Sequence, residues 1–397
     1  DESNNWTASS VPSGYYLIVD KTTDHQLDGL DSTRSAYIVK VVYDVNMAPK
    51  NSKVTNEKKV KDVNDSTGEK TDWQDSADHD MGDMVPFQLT GTVPADYDYY
   101  NAYFYSFHDV ESQGLTFNPE SVVVKVDGTE ITSGYEVVTS GLEEGETFEV
   151  KFQNLKAINA VKAGSAITVE YESELNTNAV IGALGNPNEM YLQYSNNPNS
   201  EWTPSWGTDE DDNDNDGQTD EEDEKEGPTG ETTLDRVIVF TYKVEVNKVD
   251  QDLEPLQGAE FTLAKKLADG STTDIAVVMG EDLATFTAVG LDDGDYVLTE
   301  SVTPAGYNTI APVEFTISAT HEEEAAEPKL LTLEGNAANG NLIEGSIETL
   351  TLTTTVVNQA GTTLPETGGV GTTLIYVIGA VLVLGAGVVL VTKKRAA

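Results

Sequence analysis

Several lysines, carboxylates and asparagines in this chain sit where strand alternation turns them inward together. Side chains two apart in a strand share a face. On that count Val244, Val246 and Lys248 share one face, Tyr296, Leu298 and Glu300 another, and Leu352, Val356 and Asn358 a third. An ammonium, a carboxylate and an amide then lie on otherwise apolar faces, where burial without partners is costly. If they meet, desolvation lowers the lysine pKa and raises that of the acid, so neutral amine and protonated acid can coexist. The Lys248 amine can attack the Asn358 carboxamide carbon while Glu300 polarises the carbonyl and shuttles protons. Ammonia leaves, and a Lys–Asn isopeptide bond remains. A buried Lys–Glu ion pair with Asn as a hydrogen-bonding neighbour satisfies the same parity. The alternation recurs upstream in Val54, Lys58 and Val60, in Tyr103, Tyr105, Phe107 and Asp109, and in Leu192, Tyr194 and Asn196. Lys59 and Asn197 fall on the outward parity.

A second pattern closes the chain. Leu364-Pro365-Glu366-Thr367-Gly368 is followed by an uncharged apolar run from Gly369 to Val391 and then by Lys393-Lys394-Arg395. About 20 apolar residues suffice for a membrane-spanning helix. The cations would remain cytoplasmic and leave residues 1–362 outside. In that order the three parts resemble the cell-wall sorting signal of Gram-positive surface proteins. The resemblance implies that a sortase cysteine attacks the Thr367 carbonyl, expels the segment from Gly368 onward, and passes Thr367 to an amine. A single-pass anchor with an accidental pentapeptide is the plainer alternative.

Composition narrows the function classes. The net charge of −46 over 397 residues makes nucleic acid and anionic lipid poor partners. Cysteine is absent, so an exported chain must be stabilised by packing, metal or some other covalent link. There is no initiator Met or signal peptide although the C-terminus demands export, which predicts a chain lacking its true N-terminus. The four histidines are scattered, and neither a nucleophile elbow nor an HExxH occurs, so nothing favours a wall-anchored enzyme.

The elements that would hold these residues are short strands separated by Gly, Asn, Asp and Pro, and an all-β fold of tandem immunoglobulin-like sandwiches is expected. Gly14–Val19 and Ala36–Val45 read as strands of a region, 1–50, too short to bury its own core. Residues 51–205 read as a sandwich with runs at 87–90, 102–107, 122–126, 148–152, 167–171 and 190–194. An acidic linker occupies 206–231. A further sandwich, 232–361, opens on Val237 to Tyr242, and 362–397 forms the sorting signal, transmembrane helix and basic tail. In the linker Asp212, Asp214, Asp216, Asp220 and Asp223, with Gly217, match the ligand spacing of an EF-hand loop, a candidate calcium site. Asp stands where a bidentate Glu is usual, and a solvated acidic linker fits the same composition.

Further resemblances join these pieces. Lys248-Val249-Asp250 followed by Gly258 to Leu263 resembles the opening of a CnaB-type domain. Asp295 to Glu300, continuing to Tyr307, resembles the E-box of sortase-assembled pilins, with Ser301 replacing the usual Thr. In such domains positions like Lys248, Asn358 and Glu300 form the isopeptide bond. Residues 51–205 resemble the CnaA-like middle domain of pilins, which implies a Lys58–Asn196 bond with Asp109 as the acid. Val45 to Asn51 resembles the pilin motif, with Met47-Ala48 where many relatives have Val-Tyr, and makes Lys50 the amine that receives Thr367. Together they imply a structural shaft subunit of a covalent pilus, with no cofactor required. Its partners would be a class C sortase, a housekeeping sortase, identical subunits and peptidoglycan. The runner-up is a monomeric wall-anchored adhesin for a host or polysaccharide ligand.

Overall fold

A computed structural model describes residues 10–19, 26–27, 30–31, 36–45, 52–198, 229–337 and 342–361. Lys50, the acidic loop at 212–223 and the whole sorting signal with its expected helix lie outside the described residues. Among the described residues the regular structure is strand, apart from two single-turn 3₁₀ segments at Tyr97–Tyr99 and Leu155–Ala157.

Near the N-terminus β1 (Gly14–Val19) and β2 (Ala36–Val41) form an antiparallel pair. The second strand ends four residues before the expected Val45.

The middle domain is a two-sheet sandwich. Its strands are β3 (Asn56–Val60), β4 (Ser76–Asp78), β5 (Met84–Thr92), β6 (Tyr105–Glu111), β7 (Leu115–Val126), β8 (Phe148–Phe152), β9 (Ala166–Leu175) and β10 (Asn186–Ser195). One sheet runs β7-β9-β5-β3, and the facing sheet runs β8-β6-β10, each with a short edge strand. Burial alternates strictly along β5 and through most of β10, the period-2 pattern of a half-buried strand. The inward residues form one core, including Phe87, Leu89, Tyr105, Phe107, Phe148, Val169, Tyr171 and Leu192.

That facing sheet is extended by residues from beyond the acidic linker. Thr229–Glu231 pairs with β10, and β11 (Asp235–Phe240) pairs antiparallel with β10 and parallel with β4. The expected boundary at 231/232 therefore moves to Thr241, where the chain leaves one sheet for another. Faces explain the sharing: Val237 and Val239 belong to the middle core, whereas Ile238 and Phe240 belong to the next one. One strand thus packs against two cores, which is why its sequence reads as a continuous apolar run.

The C-terminal domain comprises β12 (Tyr242–Asp250), β13 (Glu260–Lys266), β14 (Thr285–Leu291), β15 (Gly294–Val302), β16 (Val313–His321), β17 (Leu330–Ala337), β18 (Leu342–Ser346) and β19 (Thr351–Asn358). They follow the path β13-β15-β16-β17-β18-β19-β12-β14, flanked by two short strands. First strand β12 and last strand β19 pair in parallel, with Lys248 opposite Val356 and Asp250 opposite Asn358.

Polar contacts tie the two domains along their seam. Lys59 Nζ lies 2.8 Å from Asp75 Oδ1 and 2.9 Å from Glu324 Oε2. Lys265 is buried between Asp80, at 2.7 Å, and Asp292. At Gly290, φ is +77° and a Cβ would stand 2.6 Å from Met81 Cβ, so glycine permits the close approach of the two domains there. Lys59 thus points outward from the middle sandwich, as expected, yet it is buried under the neighbouring domain.

Candidate functional site

Each sandwich buries a lysine, a carboxylate and an asparagine. In the C-terminal domain strand parity places them as the sequence suggests: Val244, Val246 and Lys248 on β12, Leu352, Val356 and Asn358 on β19, and Tyr296, Leu298 and Glu300 on β15 are all buried. Lys248 and Asn358 are diagonal neighbours on paired strands, while Glu300 approaches from a strand that does not pair with either. Asn358 Nδ2 donates to Glu300 Oε1 at 2.8 Å. The other Glu300 oxygen accepts from Thr303 Oγ1 and from the Ile310 backbone N–H, both at 3.1 Å, which fixes the carboxyl plane. Lys248 Nζ donates to the Val249 and Val356 carbonyls at 2.8 and 3.2 Å. Burial lowers the Lys248 pKa, opposed by the charges of Glu300 and Asp250. Asn358 Oδ1 is buried with no hydrogen-bond partner, so the carbonyl to be polarised is still unengaged.

The middle-domain cluster is more tightly closed. Lys58 Nζ lies 2.5 Å from Asp109 Oδ2 and 2.5 Å from Asn188 Oδ1, with Tyr171 Oη at 3.1 Å. Tyr171 donates to Asp109 Oδ2 at 2.7 Å and accepts from Asn188 Nδ2 at 2.9 Å. All four side chains are buried, at 2% exposure or less. Burial lowers the Lys58 pKa and raises that of Asp109, and in each case the partner's charge opposes the shift. Both shifts favour a neutral amine beside a neutral acid.

Asn188, not Asn196, is therefore the amide against Lys58. The two asparagines share a parity along β10, so alternation alone cannot separate them. At 3.3 Å per residue they lie about 26 Å apart along the strand direction. Register decides, because β10 pairs with β6 so that Asn188 faces Glu111 and Met190 faces Asp109. Asn196, past the strand end, donates instead to the Thr229 carbonyl at 2.7 Å.

Tyr171 and Glu111 complete the cluster without having stood out in the sequence. Glu111 comes two residues after Asp109 and therefore shares its face, the signal that could have found it. Burial, followed by the Asp109 charge, raises its pKa to about 8, and the Ser173 hydroxyl donates to it. Tyr171 reads in sequence only as the end of an apolar run.

Residues 81–198 match the family described as Gram-positive pilin backbone subunit 2, Cna-B-like domain. Residues 242–329 match the prealbumin-like fold domain, and 356–397 match the LPXTG cell wall anchor motif. This is the make-up of a Gram-positive backbone pilin, anchored at the cell wall. The middle-domain match bears the pilin name itself, although it is Cna-B-like rather than CnaA-like as the sequence suggested. Among similar proteins is the trypsin-resistant surface T6 protein of Streptococcus pyogenes serotype M6, 26% identical over 365 residues. The match covers 80% of this chain, which spans 65% of that relative's length. In fold, this backbone pilin is similar to the T6 backbone pilin of that serotype, described as a modular three-domain structure. The TM-score is 0.56 at 18% identity, covering 89% of this chain and 81% of that one. The full-length major pilin SpaD of Corynebacterium diphtheriae gives 0.50 at 18% identity, covering 88% and 77%.

Proposed function

We propose that this chain is a shaft subunit whose two sandwiches are each locked by a self-formed Lys–Asn isopeptide bond. The observation that carries the reading is the placement of Lys58 Nζ 2.5 Å from both the Asp109 carboxyl and the Asn188 amide oxygen, sealed from water. Burial lowers the Lys58 pKa and raises that of Asp109, which favours a nucleophilic amine beside a protonated acid. The acid donates its proton toward the amide oxygen, and Nζ adds to Cγ. One proton passes from Nζ to Nδ2 by way of the carboxyl group, the Cγ–Nδ2 bond breaks, and ammonia departs. As the carbonyl re-forms, its oxygen returns the first proton, and the carboxyl ends as it began. Tyr171 holds acid and amide in line. The same sequence joins Lys248 to Asn358 with Glu300 as the acid. In the middle domain the fold holds the amine against both acid and amide, so proximity supplies most of the acceleration. In the C-terminal domain acid and amide are in contact and the amine lies on the strand paired with that of Asn358.

Subunits are joined by the same kind of amide bond. A sortase cleaves Thr367–Gly368 within the sorting motif and passes Thr367 to Lys50 of the next subunit, or finally to peptidoglycan. The wall-anchor match supports the first half of this step.

Two experiments test the reading. Intact mass of the purified protein should fall short of the sequence mass by two ammonia molecules, and by one in Glu300→Ala or Asp109→Ala. A full mass would leave only buried ion pairs and remove the locked-shaft reading. Co-expression with a class C sortase should give a covalent ladder that disappears in Lys50→Ala. A ladder that persists would assign the acceptor amine elsewhere.

A further inference from the structure

A third buried polar cluster lies where the two domains meet, apart from both lysine sites. Asp62 and Asp78 come from the middle domain, and His321 is the last residue of β16 in the C-terminal domain. His321 Nε2 stands 3.5 Å from Asp62 Oδ2 and 3.6 Å from Asp78 Oδ1. The side chains of His321, Asp62 and Asp78 are 9%, 11% and 3% exposed respectively. The three line a cavity of about 410 Å³ whose wall also carries Asp293, Glu69 and Lys70.

The imidazole orientation is set by its other nitrogen. Ser76 Oγ lies 2.6 Å from the Glu322 carbonyl, which can only accept, so the single hydroxyl hydrogen points there. The 2.7 Å contact between Ser76 Oγ and His321 Nδ1 must then be an Nδ1–H donating to the hydroxyl. In the neutral ring this leaves the Nε2 lone pair aimed at two carboxylate oxygens. Three acceptor atoms from two domains then lie within 4.8 Å of one another, with Asp62 Oδ2 also accepting from the Asp78 backbone N–H at 3.2 Å, and a cation between them would be held by all three. Their separations are long for direct hydrogen bonds. The two from Nε2 fall near the ligand–ligand edge of a tetrahedral site with bonds of 2.0–2.2 Å, about 3.3–3.6 Å. A histidine held by its far N–H is also the usual support of a metal-bound imidazole.

We propose that Asp62, Asp78 and His321 form a site for a divalent metal of the Zn²⁺ class, with the fourth position open to the cavity, and that the bound ion clamps the two domains together. One imidazole and two carboxylates suit zinc better than calcium, which takes six to eight oxygens.

The test uses the full chain, stripped of metal by a chelator and titrated with Co²⁺ and then Zn²⁺. One equivalent of Co²⁺ should give the visible absorption of a tetrahedral ion and be discharged by Zn²⁺. His321→Gln and Asp62→Asn should each weaken binding at least tenfold, with circular dichroism overlaying that of the parent. The double variant Asp212→Asn, Asp214→Asn, in the acidic run, should leave the absorption unchanged. Absence of the tetrahedral spectrum overturns the proposal, as does its persistence in His321→Gln.

Discussion

The two lysine clusters use the same three residue types but distribute them differently over the sandwich. In the middle domain the acid and the amide sit on paired strands, β6 and β10, and the lysine reaches them from the facing sheet. In the C-terminal domain the lysine and the amide sit on paired strands, β12 and β19, and the acid comes from a strand that pairs with neither. A bond in the first case ties sheet to sheet. A bond in the second ties the first strand of the domain to its last. The acid is the one partner that forms no lasting bond, so it can come from any strand that brings it within hydrogen-bonding distance. The two domains thus bury the same three residue types through different strand pairings.

The largest expected effect separates register from parity in the middle domain. Asn188→Ala should remove one ammonia loss from the intact mass, whereas Asn196→Ala should retain both. The reverse result would mean that the β10 register is wrong by eight residues.

Next in size is stability. Each bond closes a loop of roughly 100 residues, for which the cross-link entropy treatment of disulfides gives about 4–5 kcal/mol. Glu300→Ala and Asp109→Ala should therefore each lower one thermal transition substantially and leave the other near its original temperature. Equal falls in both transitions would show that the domains unfold as one unit, coupled through the shared β11.

The pH dependence should distinguish the two sites further, since an up-shifted second carboxyl lies only beside the middle one. Glu111 has a folded pKa of about 8, raised by burial, against 4.5 for the ordinary group. For a carboxyl with a raised folded pKa, stability is fully present below the unfolded value and is lost as pH rises toward the folded one. The middle transition should thus weaken between about pH 4.5 and 8, by an amount on the order of a few kcal/mol. Glu111→Gln should flatten that slope and leave the C-terminal transition unaffected. An unchanged slope in differential scanning calorimetry would remove Glu111 from the account.

The smallest effect concerns the seam. Glu324→Gln removes the ion pair that Lys59 makes across the seam, and Glu324 is largely exposed. A cost of about 1 kcal/mol or less is expected in chemical denaturation. A much larger loss would mark the seam ion pairs as a principal interdomain contact.

Much of this architecture is legible in the chain itself. Alternation places Lys58, Asp109, Lys248, Glu300 and Asn358 on inward faces, and all five are buried. It works because the side-chain period of a strand is a local property of the backbone. It places Asn196 inward too, and Asn196 is buried. Its pairing with Lys58 misses because the register of β10 against β6 is set by packing over the whole sheet, and a strand read alone shows a face without showing a position along it. The boundary near 231 fails for a related reason. Val237 to Tyr242 is apolar on both faces, and nothing local tells whether such a run ends one core, begins another or serves both.

Local alternation is enough to determine an all-β chain with inward lysines, and the terminal motif marks it for the cell wall. The tertiary structure alone decides which asparagine meets Lys58, where one domain stops, and that Asp62, Asp78 and His321 converge. Those three are separated by up to two hundred and fifty-nine positions. Only the docking of two independently patterned cores brings their lone pairs to one point, and no periodicity within either domain encodes that meeting.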